Sequence, residues 1–207
     1  MDLPASLLAH LHDLTVSIGK DDQDFDETLL ALTTALHSTA ISYCGFQLTI
    51  VERDWPVTLT TFTGGHDVPL RTSLRLPLGL VSPTVDGESR VVFYAGVSGA
   101  FTDLAADLSH ALGGVPVDQQ SSAADGVDHG KPRVDGHPKV IVLDADLALL
   151  SRASGLTGLA ELTVLNRAIG MLVDQGHDIE QAHQLLRRDA AAEGVEPQTY
   201  AARIIGQ

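Results

Sequence analysis

The sequence predicts an α+β chain: an antiparallel sheet with flanking helices, followed by a small all-helical module. Three observations predict it. Toward both ends, apolar residues recur at steps of three and four, the period of a helix face. Between residues 44 and 95 they alternate with polar residues, the period of a half-buried strand. The strands also come as one block after two helices rather than interleaved with helices, which fits α+β better than a parallel α/β sheet.

In chain order, Leu3, Leu7, Leu11, Leu14 and Ile18 define an amphipathic helix over 3–18. Pro4 is tolerated in its first turn. Lys20–Asp24 reads as a polar break, and a second helix over 26–39 carries Leu29, Leu30, Leu32 and Leu36. Cys44, Phe46, Leu48 and Ile50 alternate with Gln47 and Thr49 as a strand, which makes Cys44 a small buried core residue. Trp55-Pro56 reads as a turn, 57–63 as a Thr-rich strand ended by Gly64-Gly65, and Ser73–Pro77 and Val81 as extended pieces. Asp86-Gly87 is a hairpin signal before a strand over Arg90–Ala95. A helix over 101–112 follows, with Phe101, Leu104, Ala105, Leu108 and Leu112 on one side and Thr102 or Asp103 available as its cap. The stretch 113–138 is rich in Gly, Ser, Asp and Pro and reads as an irregular loop; Val140–Leu143 reads as an edge strand.

From Leu156 onward the pattern is three helices. Leu162, Leu165, Ile169 and Leu172 form one stripe over 156–175, which also fits a short seam for a partner helix in a dimer. Gly176 stops that helix. Asp178 and Gln181 have capping-box spacing for a helix over 179–193 that buries Ile179, Ala182, Leu185, Leu186 and Ala190. Gly194 ends it, and Pro197 opens a third helix with Ala201, Ile204 and Ile205 inward. The predicted division is therefore 1–150 and 151–207.

Leu165-Asn166-Arg167-Ala168-Ile169-Gly170-Met171-Leu172, then Glu180–Arg188, then Tyr200-Ala201-Ala202-Arg203-Ile204-Ile205 resembles the ANTAR domain, a three-helix module that binds RNA hairpins and promotes transcription antitermination. The resemblance implies RNA contact through Arg167, Arg187, Arg188, Tyr200 and Arg203. It departs from the family at Ile169, where Lys is common, and at His183, where an aromatic residue is usual. Ala190 and Ala191 stand in place of a polar pair, and Val195 and Glu196 in place of basic residues. Each departure removes charge or hydrogen-bonding capacity. Upstream, Ser73–Leu78, Arg90–Ala95 and Ala100–Leu104 resemble the end of a GAF domain, a sensing module that takes a small-molecule or protein signal. GAF sensors commonly precede ANTAR modules.

Charge opposes the RNA expectation. The chain carries −14 overall; residues 1–150 hold 8 basic and 20 acidic residues, and residues 151–207 hold 5 and 7. Nucleic-acid binders normally show a basic face, because phosphate neutralisation supplies much of the affinity. Only a local cluster of the tail arginines meets that need, and adjacent Arg187 and Arg188 project about 100° apart on a helix.

No apolar run reaches the length of a membrane span. The start, Met1-Asp2-Leu3-Pro4, lacks a basic signal region. A single cysteine, Cys44, excludes an internal disulfide framework and suits a reducing cytoplasm, the expected location.

Catalytic and metal patterns are sparse. His10 and His12, or His129 and His137, lack further ligands at closed spacing. Asp107, Ser109 and His110 share one helix and do not converge as a triad. Gly96-Val97-Ser98-Gly99 reads as a connector, since it lacks the Lys-Ser/Thr ending of a phosphate loop. The expectation is a cytoplasmic, non-enzymatic, dimeric regulator that needs no cofactor and binds an RNA hairpin. The alternative is a degenerate bundle serving dimerisation or protein docking without RNA.

Overall fold

A computed structural model describes residues 3–17, 22–40, 42–52, 55–63, 69–82, 85, 88–119, 140–147 and 154–206. The readings at Gly64-Gly65, Asp86-Gly87, His129 and His137 lie outside these residues, as does most of the predicted loop after Gln119. The chain divides into two compact units, Met1–Gly155 and Leu156–Gln207; the sequence placed the division at 150/151.

The first unit is mixed α+β. Helices α1 (Leu3–Ser17), α2 (Asp22–Thr39) and α3 (Thr102–Ala111) accompany strands β1 (Tyr43–Glu52), β2 (Trp55–Phe62), β3 (Thr72–Pro77), β4 (Arg90–Ala95), β5 (Val117–Gln119) and β6 (Ile141–Leu143). A short β7 (Gly155–Thr157) marks the passage into the second unit, and the strand order is β5-β6-β3-β4-β1-β2-β7.

Register explains why one sheet face is the core. Phe46 pairs with Phe93, Phe93 with Leu74, and Leu74 with Leu143. Leu48, Val91 and Leu76 form the next row. Both rows are buried, together with Leu7, Leu11 and Leu14 of α1, Leu32 and Leu36 of α2, and Phe101, Leu104 and Leu108 around α3. The apolar stripe of α1 is thus spent inside its own unit.

Several expectations are corrected. The sheet is mixed, because β5 pairs with β6 in parallel. β6 is therefore an inner strand, and part of the predicted loop supplies the edge. α2 begins at Asp22, inside the predicted polar break. Trp55 and Pro56 belong to β2, paired with Glu52 and Val51, and Val81 closes a 3-10 turn over Leu78–Leu80. α3 is capped by neither Thr102 nor Asp103; its N-cap residue is Phe101, without a side-chain cap bond.

Gly45 causes the least expected feature. The register shifts between Tyr43 and Gly45, and this irregularity turns Cys44 away from the Phe46 face. Cys44 packs instead on the second face with Val92 and Tyr94, beside Phe62 and Leu70. A Cβ at Gly45 would lie 2.1 Å from the Thr61 carbonyl oxygen, and the residue's φ is +151°. Across the glycine, the Phe62 and Tyr94 rings approach to 5.5 Å, filling the space that a side chain would take.

The second unit comprises α4 (Leu159–Asp174), α5 (Ile179–Glu193) and α6 (Pro197–Ile205). α4 starts later than predicted, because Leu156 and Thr157 are extended and Gly158 at φ +87° forms its N-cap. Leu165, Ala168, Ile169, Ala182, His183, Leu186, Ala190 and Ala201 are buried. Ile179 is corrected: it is 54% exposed. The Gly176 turn is a Schellman motif, with Gly176 N–H donating to the Val173 carbonyl and His177 N–H to that of Leu172. Asp178 caps α5 in a full capping box: Gln181 N–H donates to Asp178 Oδ1 at 2.7 Å, and Asp178 N–H to Gln181 Oε1 at 3.3 Å. Asp178→Ala is expected to cost about 1 kcal/mol, read as a lower melting midpoint of this unit.

Candidate functional site

Two regions bear on function, one in each unit. In the first, the sheet face opposite the helices is polar as well as buried. Thr60 pairs with Gln47, Gln47 with Val92, and Val92 with Arg75, giving a row across β2, β1, β4 and β3. Gln47 Nε2 donates to Thr60 Oγ1 at 3.4 Å, and the Thr49 and Thr58 hydroxyls lie 3.2 Å apart. Thr49, Thr60 and Ser73 are buried.

The chain after β6 completes this face. Asp144 adopts φ +63°, a conformation that aspartate tolerates better than most residues. Thr72 Oγ1 donates to Asp144 Oδ1 at 2.6 Å, and the Ser73 amide donates to the same oxygen at 3.2 Å. Asp146 N–H donates to Ser73 Oγ at 3.2 Å. This hook brings the Asp146 carboxylate to 3.3 Å from Arg75 Nε.

The two form an ion pair without hydrogen-bond geometry, and among the described residues the buried Tyr94 Oη has no hydrogen-bond partner. Burial pushes the Tyr94 phenol well above its ordinary range, and the Asp146 carboxylate pushes the same way, while Arg90 and Arg75 pull against them. Buried polar groups are costly unless paired; Arg75 and Asp146 offset each other's charge at 3.3 Å, which leaves the Tyr94 hydroxyl as the more costly group. Sequence reasoning missed this cluster. Its one trace was the charged Arg75 between Leu74 and Leu76 of β3. Tyr94→Phe removes the unsatisfied hydroxyl, so thermal unfolding of the ligand-free variant should show a gain of about 1 kcal/mol.

In the second unit the predicted RNA-contact residues are carried by all three helices: Arg167 by α4, Arg187 and Arg188 by α5, Tyr200 and Arg203 by α6. Arg167 projects from the side of α4 opposite Leu165 and Ala168 and has no ion pair among the described residues. On α5, at 100° per residue, Arg188 is outermost, Arg187 lies on one flank and Glu193 toward the other. Arg188 Nη2 sits 2.8 Å from Asp189 Oδ1. Arg203 Nη1 of α6 donates to Glu193 Oε2 at 2.6 Å. Arg187 is half-buried and already engaged, and Tyr200 is half-buried. The expected dimer seam is corrected: Leu165 and Ile169 are core residues of the three-helix unit, with Leu162 and Leu172 half-buried beside them.

The other candidate groups are engaged locally or exposed. Ser109 Oγ donates to the Val115 carbonyl at 2.6 Å, while Asp107 and His110 are exposed. Ser6 Oγ lies 3.4 Å from His10 Nε2. Among the described residues, no three His, Cys, Asp or Glu side chains gather as a metal site, and no helix is long and apolar enough to cross a membrane. Compared with known proteins, the chain matches no family model, no curated protein and no solved structure.

Proposed function

We propose that the chain is a non-enzymatic, signal-responsive regulator whose three-helix unit binds RNA hairpins in the manner of a transcription-antitermination module. The α+β unit takes the small-molecule or protein signal, with the Tyr94, Arg75 and Asp146 face as its candidate contact. One observation carries the RNA reading. Of the spaced residues on which the ANTAR resemblance rests, Ala168, Ala182, Leu186 and Ala201 are buried in a compact three-helix unit, Leu172, Ile204 and Ile205 are half-buried, and Gly170 is exposed.

Arg167 and Arg188 are the strongest contacts on offer. The Arg188–Asp189 pair joins neighbouring residues, and the arginine side chain is 72% exposed, so phosphate displaces the carboxylate at little cost. Filter binding of hairpin RNA tests the reading: saturable binding tighter than roughly tens of micromolar that weakens from about 50 to 300 mM salt is expected. Absence of such binding, with and without candidate signals, discards it.

A second reading is favoured by the arginine placement itself. Guanidiniums spread around α4, α5 and α6, two of them paired with carboxylates, suit a docking or dimerisation bundle better than an RNA surface. Under that reading, RNA binding is absent and removal of residues 156–207 abolishes self-association in sedimentation.

A further inference from the structure

The β6–β3 ladder pairs Val142 with Arg75 and Leu143 with Leu74. Beyond it, Asp144 N–H donates to the Ser73 carbonyl at 2.9 Å, and the chain turns out of the sheet at the Asp144 φ of +63°. Residues 144–147 then lie against the second sheet face, half-buried along their length. Their side-chain anchors are few. Thr72 Oγ1 and the Ser73 amide hold Asp144 Oδ1, and Ser73 Oγ holds the Asp146 amide.

Two costs work against this closed arrangement. A left-handed backbone at a residue with a Cβ is strained. The second cost is the Tyr94 hydroxyl. Tyr94 pairs directly with Ser73, so the two side chains stand on one face, and the Asp146 carboxylate acts on the Tyr94 phenol. The hydroxyl is buried without a hydrogen-bond partner among the described residues. The Arg75–Asp146 pair beside it lacks hydrogen-bond geometry. Lifting residues 144–147 gives all three groups water, which relieves their desolvation. Closure therefore rests on a handful of bonds set against backbone strain and an unmet hydroxyl.

We propose that residues 144–147 form a strap that opens separately from the rest of the α+β unit and admits a signal molecule to Tyr94 and Arg75. With the strap closed, the Tyr94 hydroxyl and Arg75 Nε are buried, so no molecule reaches them without such a step. Segments that gate binding sites are drawn from the least stable parts of a fold. This gating role rests on the reading of that face as the signal contact. Opening itself is measured without signal or RNA, so a strap that stays shut and a face that takes no signal are told apart.

Residue-resolved amide hydrogen exchange of the full chain is the test. The Asp144 and Asp146 amides should be at least about tenfold less protected than those of Val92 and Phe93 in β4. Tyr94→Phe keeps the ring and removes the hydroxyl that opening hydrates, so it should slow exchange at Asp144 and Asp146 by about fivefold. Asp146→Asn discharges the ion pair and should speed exchange at Asp144 by about two- to fivefold. Asp144 and Asp146 amides as protected as those of β4 overturn the strap. So do folded Tyr94→Phe and Asp146→Asn chains in which exchange at the strap stays at the wild-type rate.

Discussion

Gly45→Ala is expected to destabilise the α+β unit by roughly 3–5 kcal/mol, enough to leave much of it unfolded at room temperature. The reason is local and steric. The new methyl carbon would sit 2.1 Å from the Thr61 carbonyl oxygen and 2.7 Å from Phe62 Cα, both backbone atoms of the paired strand. Neither moves without pulling β2 away from β1. The backbone at φ +151° adds strain that only glycine escapes. Relief would also separate the Phe62 and Tyr94 rings. Urea denaturation followed by the fluorescence of Trp55 measures the loss; a change under about 1 kcal/mol would mean the strands are not paired in this register.

Leu186→Ala should have the next largest effect, confined to the three-helix unit. Leu186 is 1% exposed at the centre of that unit, and truncation of such a leucine costs roughly 2–5 kcal/mol. A helical unit this small has little stability to spare. The variant should therefore lose its α4–α6 helicity while the α+β unit keeps its own transition. Two separate thermal transitions, only one of them moved, are the expected calorimetric record. A single transition lowered as a whole contradicts the independence of the units.

Periodicity made most of the helices legible. Leu7, Leu11 and Leu14, or Leu104 and Leu108, bury one stripe each, and nothing non-local alters that pattern. The α5 boundaries were legible because Asp178, Gln181 and Gly194 act through hydrogen bonds and backbone geometry a few residues away. The sheet was less so. The face on which Cys44 lies depends on one irregular residue in β1, and a single added residue reverses every assignment on one side of it. β5 is three residues long, too short for alternation to register, and without it β6 was read as an edge strand. The Tyr94–Arg75–Asp146 cluster joins β4, β3 and the turn after β6, and the Arg203–Glu193 contact joins α6 to α5. Such juxtapositions exist only after folding. The arginines show the same limit: their number and spacing were plain, and so was Asp189 beside Arg188, whereas the Arg203–Glu193 pair follows from how α5 and α6 pack.

The proposed RNA role is tested most directly by the salt dependence of hairpin affinity for the wild-type chain and for Arg167→Ala/Arg188→Ala, two exposed positions outside the core. The account predicts saturable wild-type binding, weaker binding by the double variant, and a slope of log affinity against log salt that is shallower by roughly 1–2. An identical slope and affinity in the two proteins, or no binding by either, would contradict it and leave the three-helix unit as a docking module.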